Sequence, residues 1–208
     1  MIDVVATFIF FFAVIDPIGT VPVYIAIAER QDAIIRRRIA LIGAAAAAGI
    51  LVFFVLLGQL ILNALDIPLP AFQIAGGVVL FLFALTMIFG ESKPEEEIRA
   101  IERSTDSAIF PLAVPSIASP GAIMGAVLHT ENQTVGLWQQ AQVTTVMLGV
   151  VGLTCVLMLL GSHIIRLIGH AGASIVSRVM GLILASVATA NILDGVKSFF
   201  MDAPMIAA

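Results

Sequence analysis

Five stretches of this chain carry no Asp, Glu, Lys or Arg at all: 39–65, 67–90, 107–130, 132–165 and 179–193. Each anchors an apolar run long enough for a helix of roughly 20 residues, the length that crosses a bilayer core. A sixth apolar run opens the chain and is interrupted by Asp16. A soluble fold needs a charged surface. With 12% charged residues, against about 25% in soluble domains, this sequence cannot supply one. The predicted spans are 2–28, 37–62, 69–90, 107–129, 141–165 and 174–200. Backbone groups in lipid must pair internally, so the spans are expected to be helices. They lack the alternation that membrane barrels show in segments of about ten residues. The N-terminus lacks the basic region of a cleaved signal peptide, so the first run is expected to be a retained span.

Lys and Arg fall on one side of this layout. Arg30, Arg36, Arg37 and Arg38 follow span one, Lys93, Arg99 and Arg103 follow span three, and Arg166 and Arg178 flank the junction of spans five and six. The opposite loops hold none, and Lys197 sits near the C-terminus. Positive charge marks the cytoplasmic side. The chain is therefore expected in the cell inner (plasma) membrane, multi-pass, with both termini outside. The charged stretch 91–106 reads as a cytoplasmic linker.

The second half repeats the first. Pro17 and Pro120, Gly49 and Gly152, and Gly58 and Gly161 are each 103 residues apart, while Gly77 and Gly181 are 104 apart. A repeat with an odd number of spans must be inverted in the membrane, an arrangement common in secondary transporters. The expected fold is an all-α membrane protein with six transmembrane helices in two inverted three-helix repeats. The first repeat is 1–90 and the second 107–208.

Spans one and four are expected to be broken. Span one contains Asp16-Pro17-Ile18-Gly19-Thr20-Val21-Pro22, and span four contains Pro111, Pro115, Ser116, Ser119, Pro120 and Gly121. Proline removes a backbone donor and clashes with the preceding turn. Asp16-Pro17 and Ser119-Pro120 also read as helix starts, a capping side chain followed by proline at the first helical position. Each span should then be two half-helices meeting near the membrane midplane. A half-helix N-terminus suits an anion, and a half-helix C-terminus presents carbonyls that suit an ammonium. Glycines at 19 and 121 would let a ligand approach the backbone. The candidate substrate-binding residues are Asp16, Pro17, Gly19, Thr20, Ser116, Ser119, Pro120 and Gly121, with Gln73 and Asn191 as further intramembrane polar groups. Asp16, deep in its span, is the candidate coupling residue for protons or a cation, because buried intramembrane carboxylates are mostly functional. As the plainer alternative, it merely caps a half-helix.

Other features have structural readings. Cys155 is read as a packing residue, Arg178 as an interfacial anchor, Asp194–Lys197 as a same-face pair, and Gly121 and Gly125 as a packing surface. Asn132-Gln133-Thr134 fits a glycosylation triplet of a kind that often arises by chance. The three histidines lack metal-ligand spacing. No nucleotide-binding loop is present, so ATP coupling within this chain is not expected. Cofactors and nucleic-acid partners are not expected either. Pairing Ser116 or Ser119 with His163 for hydrolysis would join different spans at unmatched depths, so an enzyme is not expected. The expected partners are the lipid bilayer and a small zwitterionic substrate, with homo-oligomer formation left open.

With these residues in view, the chain resembles the MarC family of multiple-span membrane proteins. The resemblance runs through nearly all 208 residues. Ile74-Ala75-Gly76-Gly77, Pro111 to Gly121, Ser177-Arg178-Val179-Met180-Gly181-Leu182 and Leu193-Asp194-Gly195 carry it. Asp16-Pro17-Ile18-Gly19 resembles one branch, where other members carry Asn-Pro. The family resembles small neutral amino-acid transporters, with members assigned to glycine and alanine. The resemblance thus implies alternating-access transport of a zwitterion. Ser119 stands where glycine is common, Thr20 where asparagine is common and Asn191 where glutamine is common, which implies a shifted substrate preference if these positions line the site. The competing reading is an inorganic ion transporter or channel, with Asp16 and the break carbonyls holding a cation.

Overall fold

The computed structural model describes residues 3–28, 31–89, 112–130 and 136–202. The 91–106 linker, the 132–134 triplet and the start of the expected fourth span lie outside the described residues. Those described form helices α1 (Val4–Ile15), α2 (Pro17–Ala28), α3 (Ala33–Ala64) and α4 (Leu69–Phe89), followed by α5 (Leu112–Ile117, one wide turn), α6 (Pro120–Leu128), α7 (Leu137–Leu159) and α8 (Gly161–Asp202).

Helix ends follow local chemistry. The Asp3 carboxylate accepts from the N–H groups of Val5 and Ala6 at 3.0 Å each, capping α1. α3 closes with Asp66 in the left-handed region (φ 53°). There the Ile67 N–H reaches the Leu62 carbonyl at 3.0 Å, and the Asp66 N–H reaches Asn63 at 3.2 Å. This Schellman turn satisfies the last carbonyls, and Pro68 behind it prevents continuation. The sequence reading ran span five to 165. Instead α7 stops at Leu159, and the chain continues helically to Gly169, whose φ of 69° breaks α8. Gly169 lacks a Cβ, so this turn costs little there.

Among the described residues, five helical stretches are long and apolar enough to cross a membrane: Val4–Ala28 taken across its break, Ala33–Ala64, Leu69–Phe89, Leu137–Leu159 and Ala171–Met201. Six were expected. The expected fourth is represented by α5 and α6, each too short alone. Large apolar side chains point outward, among them Leu56, Leu82, Leu182 and Leu193. That pattern fits a chain solvated by lipid rather than water.

The α1–α2 segment is the most enclosed of the five. Phe11, Ala13, Val14, Ile15, Val21 and Val23 are fully buried in the core. Helices α7 and α8 pack around this segment, while α3 and α4 pack against α6.

The glycines set how closely helices approach. A Cβ on Gly77 would lie 2.6 Å from Ile192 Cγ1 and 3.2 Å from the Ala188 carbonyl. On Gly181 it would lie 2.9 Å from Met87 Cβ and 3.1 Å from the Ala84 carbonyl. Gly195 meets Ile74 and the Pro70 carbonyl in the same way. Positions rise along α4 as they fall along α8, so the two helices are antiparallel with their backbones nearly touching. The Gly77–Ala188 and Gly181–Ala84 contacts exchange under the 104-residue offset. Gly58 packs on Val127 of α6, and Gly161 packs on Val21 and Ile25 of α2. Gly49 and Gly152 both face open space. Each pair of glycines matched in sequence therefore occupies a matched environment.

Gly77→Leu is expected to force α4 from α8 and cost about 2–3 kcal/mol through overpacking. Gly152→Leu should be close to neutral. Thermal unfolding in detergent checks this pair, and equal losses would contradict the seam.

Candidate functional site

Asp16 ends one helix and starts the next. Its φ of 50° and ψ of 68° are left-handed, a region Asp tolerates better than most residues, and they turn the chain out of α1. Its N–H still reaches the Phe12 carbonyl at 3.0 Å. Its own carbonyl accepts from the Thr20 N–H at 3.0 Å, and its Oδ1 accepts from the Gly19 N–H at 3.0 Å. Pro17 has no N–H to lose at the first position of α2. The carboxylate thus sits on the positive end of α2, where the helix dipole favours it.

The second break has a different shape. The Ala118 N–H bonds the Ala113 carbonyl at 2.9 Å, closing a wide five-residue turn. Val114, placed before Pro115, is extended (φ −139°, ψ 125°), as a residue preceding proline prefers. Ser119 then caps α6: its Oγ accepts from the Ala122 N–H at 3.2 Å, and Pro120 takes the first helical position.

The two interruptions meet. The Ser119 hydroxyl donates to the Val14 carbonyl at 3.2 Å, one of the groups released at the end of α1. The Ser116 hydroxyl donates to Thr20 Oγ1 at 3.4 Å. Thr20 donates to the Asp16 carbonyl at 3.0 Å, with Ile15 at 3.4 Å. Backbone groups freed by one break are therefore satisfied partly by side chains of the other. Thr20, Ser116 and Ser119 are fully buried, and Asp16 is 1% exposed.

One participant was not expected. The Ser177 hydroxyl of α8 donates to Asp16 Oδ2 at 2.5 Å, the length of a charge-assisted bond. Ser177 is fully buried and lies one turn before Gly181, inside the Ser177–Leu182 motif. That position was the one available signal. Both oxygens of Asp16 are thus occupied, by Gly19 and Ser177.

Other expected residues lie elsewhere. Gln73 and Asn191 are half-buried on α4 and α8. Fourteen residues of α8 separate Asn191 from Ser177, about 21 Å at about 1.5 Å per residue. Pro17 is buried at the first break, whereas Pro120 is exposed. The space beside the two break glycines is filled by protein rather than open to a ligand. A Cβ on Gly121 would lie 2.6 Å from both Leu80 and Val14, and one on Gly19 would collide with Asp16 and Ser177. His163 is exposed, away from the buried serines. Arg178 donates to the Ile88 carbonyl at 3.1 Å and so caps the end of α4. Asp194 and Lys197 are both exposed, and no ion pair joins them among the described residues.

The arrangement has a chemical polarity. The N-terminus of α2 is already neutralised by a carboxylate, which together with the Val14 and Ile15 carbonyls suits a cationic group. The N-terminus of α6 is capped only by a neutral hydroxyl, so it keeps its attraction for an anion.

Comparison with known proteins gives a consistent picture. A family model described as MarC family integral membrane protein matches residues 1–200. A UPF0056 membrane protein of Methanocaldococcus jannaschii is 34% identical over 190 residues, covering 89% of this chain and 92% of the relative. One of Pyrococcus horikoshii is 32% identical over 207 residues, covering 96% and 99%. The UPF0056 membrane protein YvbG of Bacillus subtilis is 32% identical over 202 residues, covering 95% of each. No solved structure matches the chain.

Proposed function

We propose that this chain, which belongs to the MarC family of integral membrane proteins, is a secondary transporter of small neutral amino acids of the glycine and alanine class. The observation that carries this reading is the meeting of two helix interruptions from the two halves of the chain. They join through the Ser119–Val14 and Ser116–Thr20 hydrogen bonds, with one buried carboxylate between them and α8. Interrupted helices deep in a membrane are tolerated where they serve a cavity or are held by protein, and in transporters they form the substrate site.

In this reading the substrate ammonium lies toward Asp16 and the Val14 and Ile15 carbonyls. The substrate carboxylate replaces Ser119 at the α6 N-terminus. Because the space beside Gly19 and Gly121 is filled, binding requires the two breaks to part, and the described arrangement is the closed one. The matched glycine environments and the self-exchanging α4–α8 contact support an inverted repeat of six spans. One half would then rock against the other about that seam. Asp16 would couple movement to a proton or cation. The arginine distribution supports an inner-membrane placement with both termini outside.

Proteoliposomes preloaded with unlabelled alanine should accumulate labelled alanine or glycine by counterflow. Failure to accumulate any small neutral amino acid under these conditions would reject this substrate class.

A further inference from the structure

A cleft of about 500 Å³ opens where α2 ends, α3 begins, α7 ends and α8 begins. Among the described residues its polar lining is Tyr24, Arg36, Arg37 and Ser162, with no Asp or Glu. Its remaining walls are apolar, among them Ile25 and Leu159. Leu159 is also 42% exposed, so this wall continues onto the lipid-facing surface. We propose that this cleft is a binding site for the phosphate headgroup of an anionic membrane phospholipid, with Arg36 and Arg37 holding the phosphate and the apolar wall holding the upper acyl chain.

Three properties of the cleft lead to this ligand. The guanidiniums of Arg36 and Arg37, both lining the cleft, offer forked donors that match phosphate oxygens. The ends of α2 and α7 and the start of α3 coincide with the boundaries of their apolar spans, and the start of α8 precedes its span at Ala171, so the cleft lies at headgroup level. Basic pockets between membrane helices on the positive side suit acidic headgroups. The apolar wall then separates the two sources of phosphate: free phosphate gains nothing from Ile25 or Leu159, whereas a lipid gains from both. The Tyr24 hydroxyl donates to the Arg36 carbonyl at 3.1 Å, tying the first turns of α3 to α2. The site's geometry therefore depends on α2, the second half of the first broken span. The proposal stands apart from the transport reading.

The test uses the full purified chain in neutral detergent, titrated with short-chain phosphatidylglycerol, short-chain phosphatidylcholine or inorganic phosphate, with binding read as thermal stabilisation. Phosphatidylglycerol should bind saturably, and the other two more weakly by about tenfold at least. Arg36→Gln and Arg37→Gln should each weaken phosphatidylglycerol binding about tenfold. Ser162→Phe, which fills the cleft without changing charge, should do the same. Arg38→Gln, outside the lining, should leave binding within about twofold. The three cleft positions are exposed, so each variant keeps the packed core. Equal weakening by Arg38→Gln would reduce the effect to diffuse surface charge and overturn the site. Phosphate or phosphatidylcholine binding as tightly as phosphatidylglycerol would overturn the ligand assignment.

Discussion

Gly19→Ala is expected to abolish amino-acid counterflow and to destabilise the protein by about 3 kcal/mol or more. A single methyl group is enough because it has nowhere to go. Its position is already taken by the Asp16 carboxylate and the Ser177 hydroxyl, both buried. To admit it, the Ser177–Asp16 bond must break or α8 must move from α2. Overpacking a tight core costs about 1–3 kcal/mol, and leaving a buried polar group unpaired costs about as much again. For a chain of this length that is a fall of roughly 10 °C in melting temperature. Gly152→Ala, facing open space, should change neither property. Thermal unfolding and counterflow on the two variants check this. A Gly19→Ala protein with native stability would mean that the carboxylate is not where it is described.

Asp16→Asn and Asp16→Ala should part company, because Asp16 has two functions that the amide separates. As a cap it needs an acceptor for the Gly19 N–H and tolerance of φ 50°. Asparagine supplies both. As a charge it would carry the coupling ion, which asparagine cannot do, although the asparagine Nδ2 can donate to the Ser177 Oγ in place of the bond that Asp16 accepts. Asp16→Asn should therefore keep stability within about 1 kcal/mol. It should weaken counterflow at zero gradient, because the substrate ammonium then faces a neutral amide, and lose uptake driven by an ion gradient altogether. Asp16→Ala removes the acceptor, leaves the Gly19 and Ser177 donors unpaired and places a Cβ-bearing residue of low left-handed tolerance at the break. It should lose about 2–4 kcal/mol and both activities. Gradient-driven uptake that survives Asp16→Asn intact would remove the coupling role and leave Asp16 as a cap.

Much of this was legible in the sequence because its causes are local. Charge-free runs mark the lipid-solvated helices. Asp16-Pro17 and Ser119-Pro120 each combine a side-chain cap with a residue that cannot continue the preceding helix, and α2 and α6 begin at those prolines. Ser177 was not legible. A serine near the start of an apolar helix carries no periodic or electrostatic signal, and only the placement of α8 beside α2 brings it to Asp16. The distance of Gln73 and Asn191 from the breaks was not legible for the converse reason: being polar within a span does not give depth. The antiparallel α4–α8 pairing carries both residues toward the opposite end of the seam from Ser177. The end of α7 at Leu159 was missed because the following residues carry no charge up to Ile165 and stay helical up to Gly169, where a positive φ breaks the chain.

The claim on which the transport account rests is that the two breaks must separate for substrate to bind. A cross-link between them tests it most directly. In a Cys155→Ser background, Thr20→Cys and Ser116→Cys replace two hydroxyls 3.4 Å apart, close enough for a disulfide between their side chains. Oxidation should stop alanine counterflow, and reduction should restore it. Unchanged counterflow in fully cross-linked protein would contradict the account.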